Sequence, residues 1–244
     1  MTRLLALLLL LLALPTHAGW SAGIVRTGAV QWVPPGPVIT FLGGNHQSGG
    51  GTTAVYTTTV AIPSGAIVVA FGSAAVDGSN IAVTSPNLSW TQRGTTATSS
   101  EGFQATIWTA VAGSEIASGE VVTNTTQTGS GRNPSVAVWY VTNAASTFTQ
   151  TGSGVSDTGT DSAWSVSTTA SGTAFVIGGA TGYARGTSTV DSGTTGDWIS
   201  DDGTSTVATT AAHSTSTGTG TRSISGDFSG ATQWAAAAIA INGQ

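Results

Sequence analysis

The chain has 244 residues, a formal net charge of −5, 7% charged residues and no cysteine. Without thiols it cannot build a disulfide framework, a thiolate nucleophile or a Cys-type zinc centre. Without lysine it cannot build a P-loop phosphate clamp, a Schiff-base amine or a Ser-Lys dyad. Its few scattered arginines cannot neutralise a phosphate backbone, so nucleic acid is not an expected partner. A hydrophobic share of 39% argues against disorder, and the many Thr and Val residues suit pleated surfaces better than helices.

The opening "MTRLLALLLLLLALPTHAGW" places Arg3 before an apolar run from Leu4 to Leu14, with Thr16 and Ala18 as small residues at a cleavage position. This reads as a signal peptide over 1–18, because a spanning helix needs about 20 apolar residues. The expected mature chain starts at Gly19, has no integral membrane segment, and is secreted, displayed on a cell surface or carried by a virion. Residues 19–52, with Pro-Pro-Gly-Pro and a glycine run, read as an extended arm or leader strand. That arm could pair with the exposed sheet edge of a second copy to form a homo-oligomer.

Strand-like segments then recur between turn residues. "AVYTTTVAI" ends at Pro63-Ser64-Gly65, and "AIVVAFGSAAV" is apolar on both faces, as a central strand would be. "FQATIWTAV" alternates, with Phe103, Ala105, Ile107, Thr109 and Val111 on one face. "PSVAVWYVTN" sets Val136, Val138 and Tyr140 opposite Ala137, Trp139 and Val141. "WAAAAIAI" has helix propensity but lacks length and a cap, and its end alternates like a strand.

The chain repeats itself. "PSGAIVVAFGS" (63–73) lies over "ASGTAFVIGGA" (170–180), and in the same order "LSWTQR" lies over "GDWISD", "FQATIWTAV" over "TSTVATTAA", "GEVVTNT" over "GTRSISG" and "SVAVWYV" over "WAAAAIA". This predicts an all-β, antiparallel, jelly-roll-like sandwich that is pseudo-symmetric through internal duplication. The halves are expected at 53–143 and 161–244, joined by a Gly/Ser/Thr connector over 144–160.

Little in the sequence looks like chemistry. "GDWISDDG" brings Asp197, Asp201 and Asp202 together, and a Ca2+ site is its sharpest functional reading, since a hard cation wants several oxygens on a tight loop. The spacing departs from the EF-hand pattern and Asp-Asp-Gly is good turn chemistry, so a hairpin end is the expectation. Glu101, Glu115, Glu120, Asp157 and Asp161 could supply a glycosidase carboxylate pair, but nothing in the sequence brings two of them together. No G-x-S-x-G elbow is present, and His46 in a glycine-rich loop and His213 at a strand end are the only histidines after the leader. Of the eight tryptophans, Trp139 and Trp164 read as core and Trp90 and Trp198 as matched plugs. Trp108 faces away from the Ile107 stripe. Trp90, Trp108 and Trp198 are the candidate ligand-binding aromatics. Thr215, Thr217, Thr219 and Thr221 alternate, as on an ice-binding strand or a plain exposed β surface.

The order of Pro63-Ser64-Gly65, Pro86 with Trp90, Trp108 to Gly119 and Trp139 to Thr142 resembles a domain of bacteriophage virion and tail-fibre proteins and bacterial surface proteins. The resemblance implies an antiparallel β-sandwich used as a structural or adhesive module, with no catalytic residues. The leader departs from a virion protein assembled inside the cell and points to a secreted or surface relative. The expected function is therefore non-enzymatic attachment or surface structure, with surface glycans or envelope components as partners and no required cofactor. Two alternatives stay open: a structural subunit of a virion, fibre or filament, and a polysaccharide-active hydrolase or lyase.

Overall fold

The computed structural model describes residues 36–47, 51–75, 81–127, 133–144, 155–182, 188–201, 207–230 and 233–243, and all regular structure among them is β. The first eight strands are β1 (Val38–His46), β2 (Thr53–Thr57), β3 (Ile67–Ala75), β4 (Ile81–Thr84), β5 (Thr91–Thr98), β6 (Phe103–Val111), β7 (Val121–Gln127) and β8 (Ser135–Thr142). They form a five-stranded sheet, β1-β8-β3-β6-β5, and a three-stranded sheet, β2-β7-β4. The remaining strands are β9 (Val155–Gly159), β10 (Ala163–Gly182), β11 (Ser188–Val190), β12 (Thr194–Asp201), β13 (Ala208–Ser214), β14 (Gly218–Phe228) and β15 (Trp234–Asn242). Their order is β9-β15-β10-β13-β12, with the first half of β10 pairing β14, which pairs β11.

The two sets correspond strand for strand, and every pairing is antiparallel. In each, the first strand pairs the last of the set, the third lies between the last and the sixth, and the second pairs the seventh. This is jelly-roll connectivity. One difference is local. In the first copy a turn at Gly65, with φ of 80°, separates β2 from β3, whereas in the second the corresponding pair runs on as the 20-residue β10. Its register shifts between Ala170 and Ala174, where the strand leaves β14.

The copies stack into four layers. Ile67, Val69 and Phe71 of β3, Ala105 and Ile107 of β6, and Ala137, Trp139 and Val141 of β8 face Ile177, Ala211, Ala237, Ile239 and Ile241 across a shared central core. The other face of the first five-stranded sheet, with Val68, Ala70, Val136 and Val138, packs on Ala54, Tyr56, Val83 and Val122 of the small sheet. The second copy repeats this with Val176, Ala236 and Ala238 against Trp164, Val166, Ile224 and Phe228. Both central strands are thus buried on two faces, which is why β3 reads as a continuous apolar run. β1 lies beside β12 and β5 beside β9, as a pseudo-twofold between the sheets requires. Near its centre the ring of Phe71 occupies the space above Gly179, where a Cβ would come within 3.0 Å of Cε1. A buried polar seam also crosses between the copies: His46 Nδ1 meets Ser135 Oγ at 2.7 Å, and Thr209 Oγ1 reaches Ser135, Ser73 and Thr181 at 3.1 to 3.3 Å. Buried hydroxyls satisfied by one another fix the register of the stack at little cost.

Three sequence expectations shift. The match of 63–73 over 170–180 is out by one residue, since it sets inward Phe71 over Gly178, whose neighbours Val176 and Ala180 face the outer core. Placing Val69 over Ile177 keeps inward over inward. A single-residue slip exchanges the faces of a strand, and weak identity between the copies could not detect it. Second, Val38–His46 within the expected arm is β1, hydrogen-bonded along its length to β8 of the same chain. The bonds proposed for a neighbour's sheet edge are spent internally there, and His46 ends a strand rather than lying in a loop. Third, the expected connector contains β9, the counterpart of β1, so the copies run over 36–144 and 155–243. Residues 19–35 and 48–50 of the expected arm, and the expected leader over 1–18, lie outside the described residues.

Candidate functional site

Pseudo-symmetry gives the molecule corresponding mouths whose side chains differ. At the β1/β12 end the mouth is closed. Asp197 is the extra residue of a bulge between Gly196 and Trp198, and a bulge lets two consecutive side chains share a face. Trp198 packs against the central core and lies over Gly44 of β1, where a Cβ would sit 2.6 Å from its ring. Asp197 Oδ2 accepts the Nε1–H of Trp139 at 2.7 Å and an Nδ1–H from His213 at 2.6 Å. A carboxylate only accepts, so the Nδ1 of His213 carries that proton. The side chains of Asp197 and His213 are 8% and 19% exposed, and Phe175 stands edge-on to the imidazole. This cluster ties β8 of one copy to β12 and β13 of the other.

The residues singled out from the sequence therefore separate. Asp197 is inside a strand and clamped, not at a hairpin end. Asp201 closes β12 opposite Ala208, and Asp202 lies outside the described residues. Among the described residues no three His, Asp or Glu side chains converge as metal ligands. Trp90 and Trp108 are partly buried against the outer core of the first copy, and their Nε1 atoms are buried without a partner. Trp90 and Trp198 are not matched plugs, because one packs in an outer core and the other in the central one. Trp139 and Trp164 are core, as expected. Thr215 and Thr217 precede β14, so the four-threonine stripe does not form on one strand.

The mouth between β1 and β2 of the first copy is also plugged. Tyr56 lies against Gly43 and donates its hydroxyl to Leu42 O, while Asn45 Nδ2 donates to Val55 O at 2.6 Å. Burial pushes the Tyr56 phenol above the usual tyrosine value. In the second copy the buried Trp164 has the inward place on β10 that Tyr56 has on β2, and beside it, around β9 and the start of β10, lies an open groove of about 630 Å³. Asp157, Asp161 and Asp191 line it with Thr158, Thr160, Ser165 and Ser225, over Trp164 and Trp234. Trp234 Nε1 donates to Asp161 Oδ1 at 3.3 Å and the backbone N of Thr158 to Asp157 Oδ1 at 2.8 Å, holding both carboxylates. Asp191 N donates to Ser225 O at 3.1 Å. Trp164 is 1% exposed and its Nε1 has no partner in the chain.

A second depression of about 180 Å³ shares Thr158, Gly159 and Thr160 and adds Ser99, Ser100 and Gln233. The two therefore form one track along β9. A third, of about 250 Å³, lies by β5 and is lined by Ser89, Thr91, Arg93 and Thr109. There Arg93 Nε donates to Thr109 Oγ1 at 2.7 Å, and burial lowers its guanidinium pKa.

Sequence reading considered Asp157 and Asp161 only as one half of a catalytic pair and passed over Asp191 and Ser225. They come from β9, the β9–β10 turn, the residue after β11 and the interior of β14, and no local spacing announces the juxtaposition. The same holds for His213 and Asp197. No protein-family model matches the chain, and neither a curated protein nor a solved structure is significantly similar to it.

Proposed function

We propose that this chain is an exported, non-enzymatic attachment protein whose second jelly roll binds a polyhydroxylated ligand, a surface glycan, in the groove along β9. The carrying observation is the open groove along β9, lined with hydroxyls and with carboxylates that the Trp234 indole and the Thr158 backbone hold in place. Carboxylates accept from vicinal hydroxyls, and Ser and Thr hydroxyls both donate and accept, which suits a sugar's hydrogen-bonding edge. The stacked, rigid sheets hold these groups in place without a ligand.

The test is binding of labelled protein from Gly19 to Gln244 to intact bacterial envelopes, with soluble polysaccharides as competitors and an EDTA arm. Saturable binding, competed by a sugar and reduced on replacing Asp157 and Asp191 by alanine, is expected. Folded protein that binds no envelope or polysaccharide would refute the reading. Loss of binding in EDTA would mean that the groove carboxylates engage the ligand through a divalent cation. Strand addition into a fibre is disfavoured at the edges of the two large sheets, where β1, β5 and β12 each carry a bulge and β9 is five residues long, and the small-sheet edges β2, β4 and β11 are three to five residues long. These devices blunt edge-to-edge pairing.

A further inference from the structure

The groove opens onto a surface that the sequence did not reveal. Ser165 and Ser225, which line it, are partners across β10 and β14, and the next two outward pairs of that ladder are Ser167 with Ser223 and Thr169 with Thr221. Ser165, Ser167, Thr169, Thr221 and Ser223 are exposed, and the hydroxyls of Thr169 and Thr221 lie 3.2 Å apart. Outward positions on a strand recur every 6.4 to 6.8 Å and neighbouring strands lie about 4.8 Å apart. The three pairs thus form a flat grid of hydroxyls roughly 13 Å long, running from the groove.

Resting on the reading of the groove as a sugar site, we infer that its ligand is an internal stretch of a neutral, linear polysaccharide, laid from the track along β9 across the groove and onto the hydroxyl ladder of β10 and β14. Length follows from continuity, because the depression beside Ser99 and Ser100, the groove and the ladder share residues in sequence. Neutrality follows from charge. Asp157, Asp161 and Asp191 repel an acidic sugar, whereas they accept from the paired hydroxyls of a neutral one. The ladder residues carry no charge and offer repeated donors and acceptors along one direction.

The experiment measures affinity against chain length for neutral oligosaccharide series and their parent polymers, using the protein from Gly19 to Gln244 and a variant carrying Ser167→Ala, Thr169→Val and Ser223→Ala. These substitutions remove exposed hydroxyls and leave the inward faces untouched, and the far-ultraviolet spectrum and unfolding midpoint check the fold. Affinity is expected to rise with chain length for the unaltered protein. The ladder variant should lose on the order of tenfold toward long chains, a few hydrogen bonds' worth, and nothing toward the shortest ligand. Acidic polymers should bind at least tenfold more weakly. Equal affinity for short and long chains, or an unaffected ladder variant, overturns this inference while the groove reading stands. Failure of every saccharide to bind overturns both.

Discussion

The clamp at Asp197 gives the sharpest test of how the copies are held. Trp139 is 0% exposed, so replacing Asp197 by alanine leaves its Nε1–H buried with no acceptor, at a cost of roughly 1–3 kcal/mol. The lost bond to the partly exposed His213 adds about 1 kcal/mol. The expected total of roughly 2–4 kcal/mol corresponds to a fall in Tm of about 5–15 °C for a domain of this size. Asp197→Asn keeps one accepting oxygen and should cost about half as much. Trp139→Phe removes the donor while retaining most of the ring, so the Asp197→Ala loss should shrink by about 1–2 kcal/mol on that background. Denaturant unfolding of the four proteins, followed by fluorescence, provides the cycle. Asp197→Ala within about 0.5 kcal/mol of the parent, or strictly additive effects, would show that the carboxylate does not join the copies.

Gly44→Ala would place a methyl 2.6 Å from the Trp198 ring and 2.9 Å from Val136 O, and displacing the indole should cost about 1–3 kcal/mol by unfolding midpoint; a neutral effect would refute the packing. Burial raises the Tyr56 pKa, so its stabilisation is complete below the unfolded-state value and is lost as pH rises through the folded-state value. Tyr56→Phe should flatten the alkaline limb of a stability–pH curve and cost about 1 kcal/mol at neutral pH, and an unchanged alkaline limb would assign that limb to another group. Residues 36–144 and 155–243, coexpressed as separate chains, should copurify, because each alone exposes its side of the central core; two soluble, folded, non-associating halves would show that the core is not shared. Sedimentation of a chain starting at Gly36 should show a monomer, and concentration-dependent growth would mean that the bulged edges do not protect.

Alternation and turn residues made the strands legible, because a pleat with one dry face writes its period into the chain. The inward set of Phe103, Ala105 and Ile107 and the two faces of β8 emerge as expected. The duplication was legible in order but not in register, since small residues such as Ala and Gly satisfy either face of the central sheets. What the sequence could not carry is any relation between the copies. Gly179 looks like a weak point in a strand until Phe71 is found above it, and Asp197 looks like turn chemistry until a bulge sets it beside Trp139. The same limit hides the groove, since Asp157, Asp161, Asp191 and Ser225 meet only once the strands are paired. Putting a tyrosine into the groove, at Ser165, should stop ligand binding without disturbing the core, since Ser165 is exposed. Undiminished binding by a folded Ser165→Tyr variant would place the ligand elsewhere.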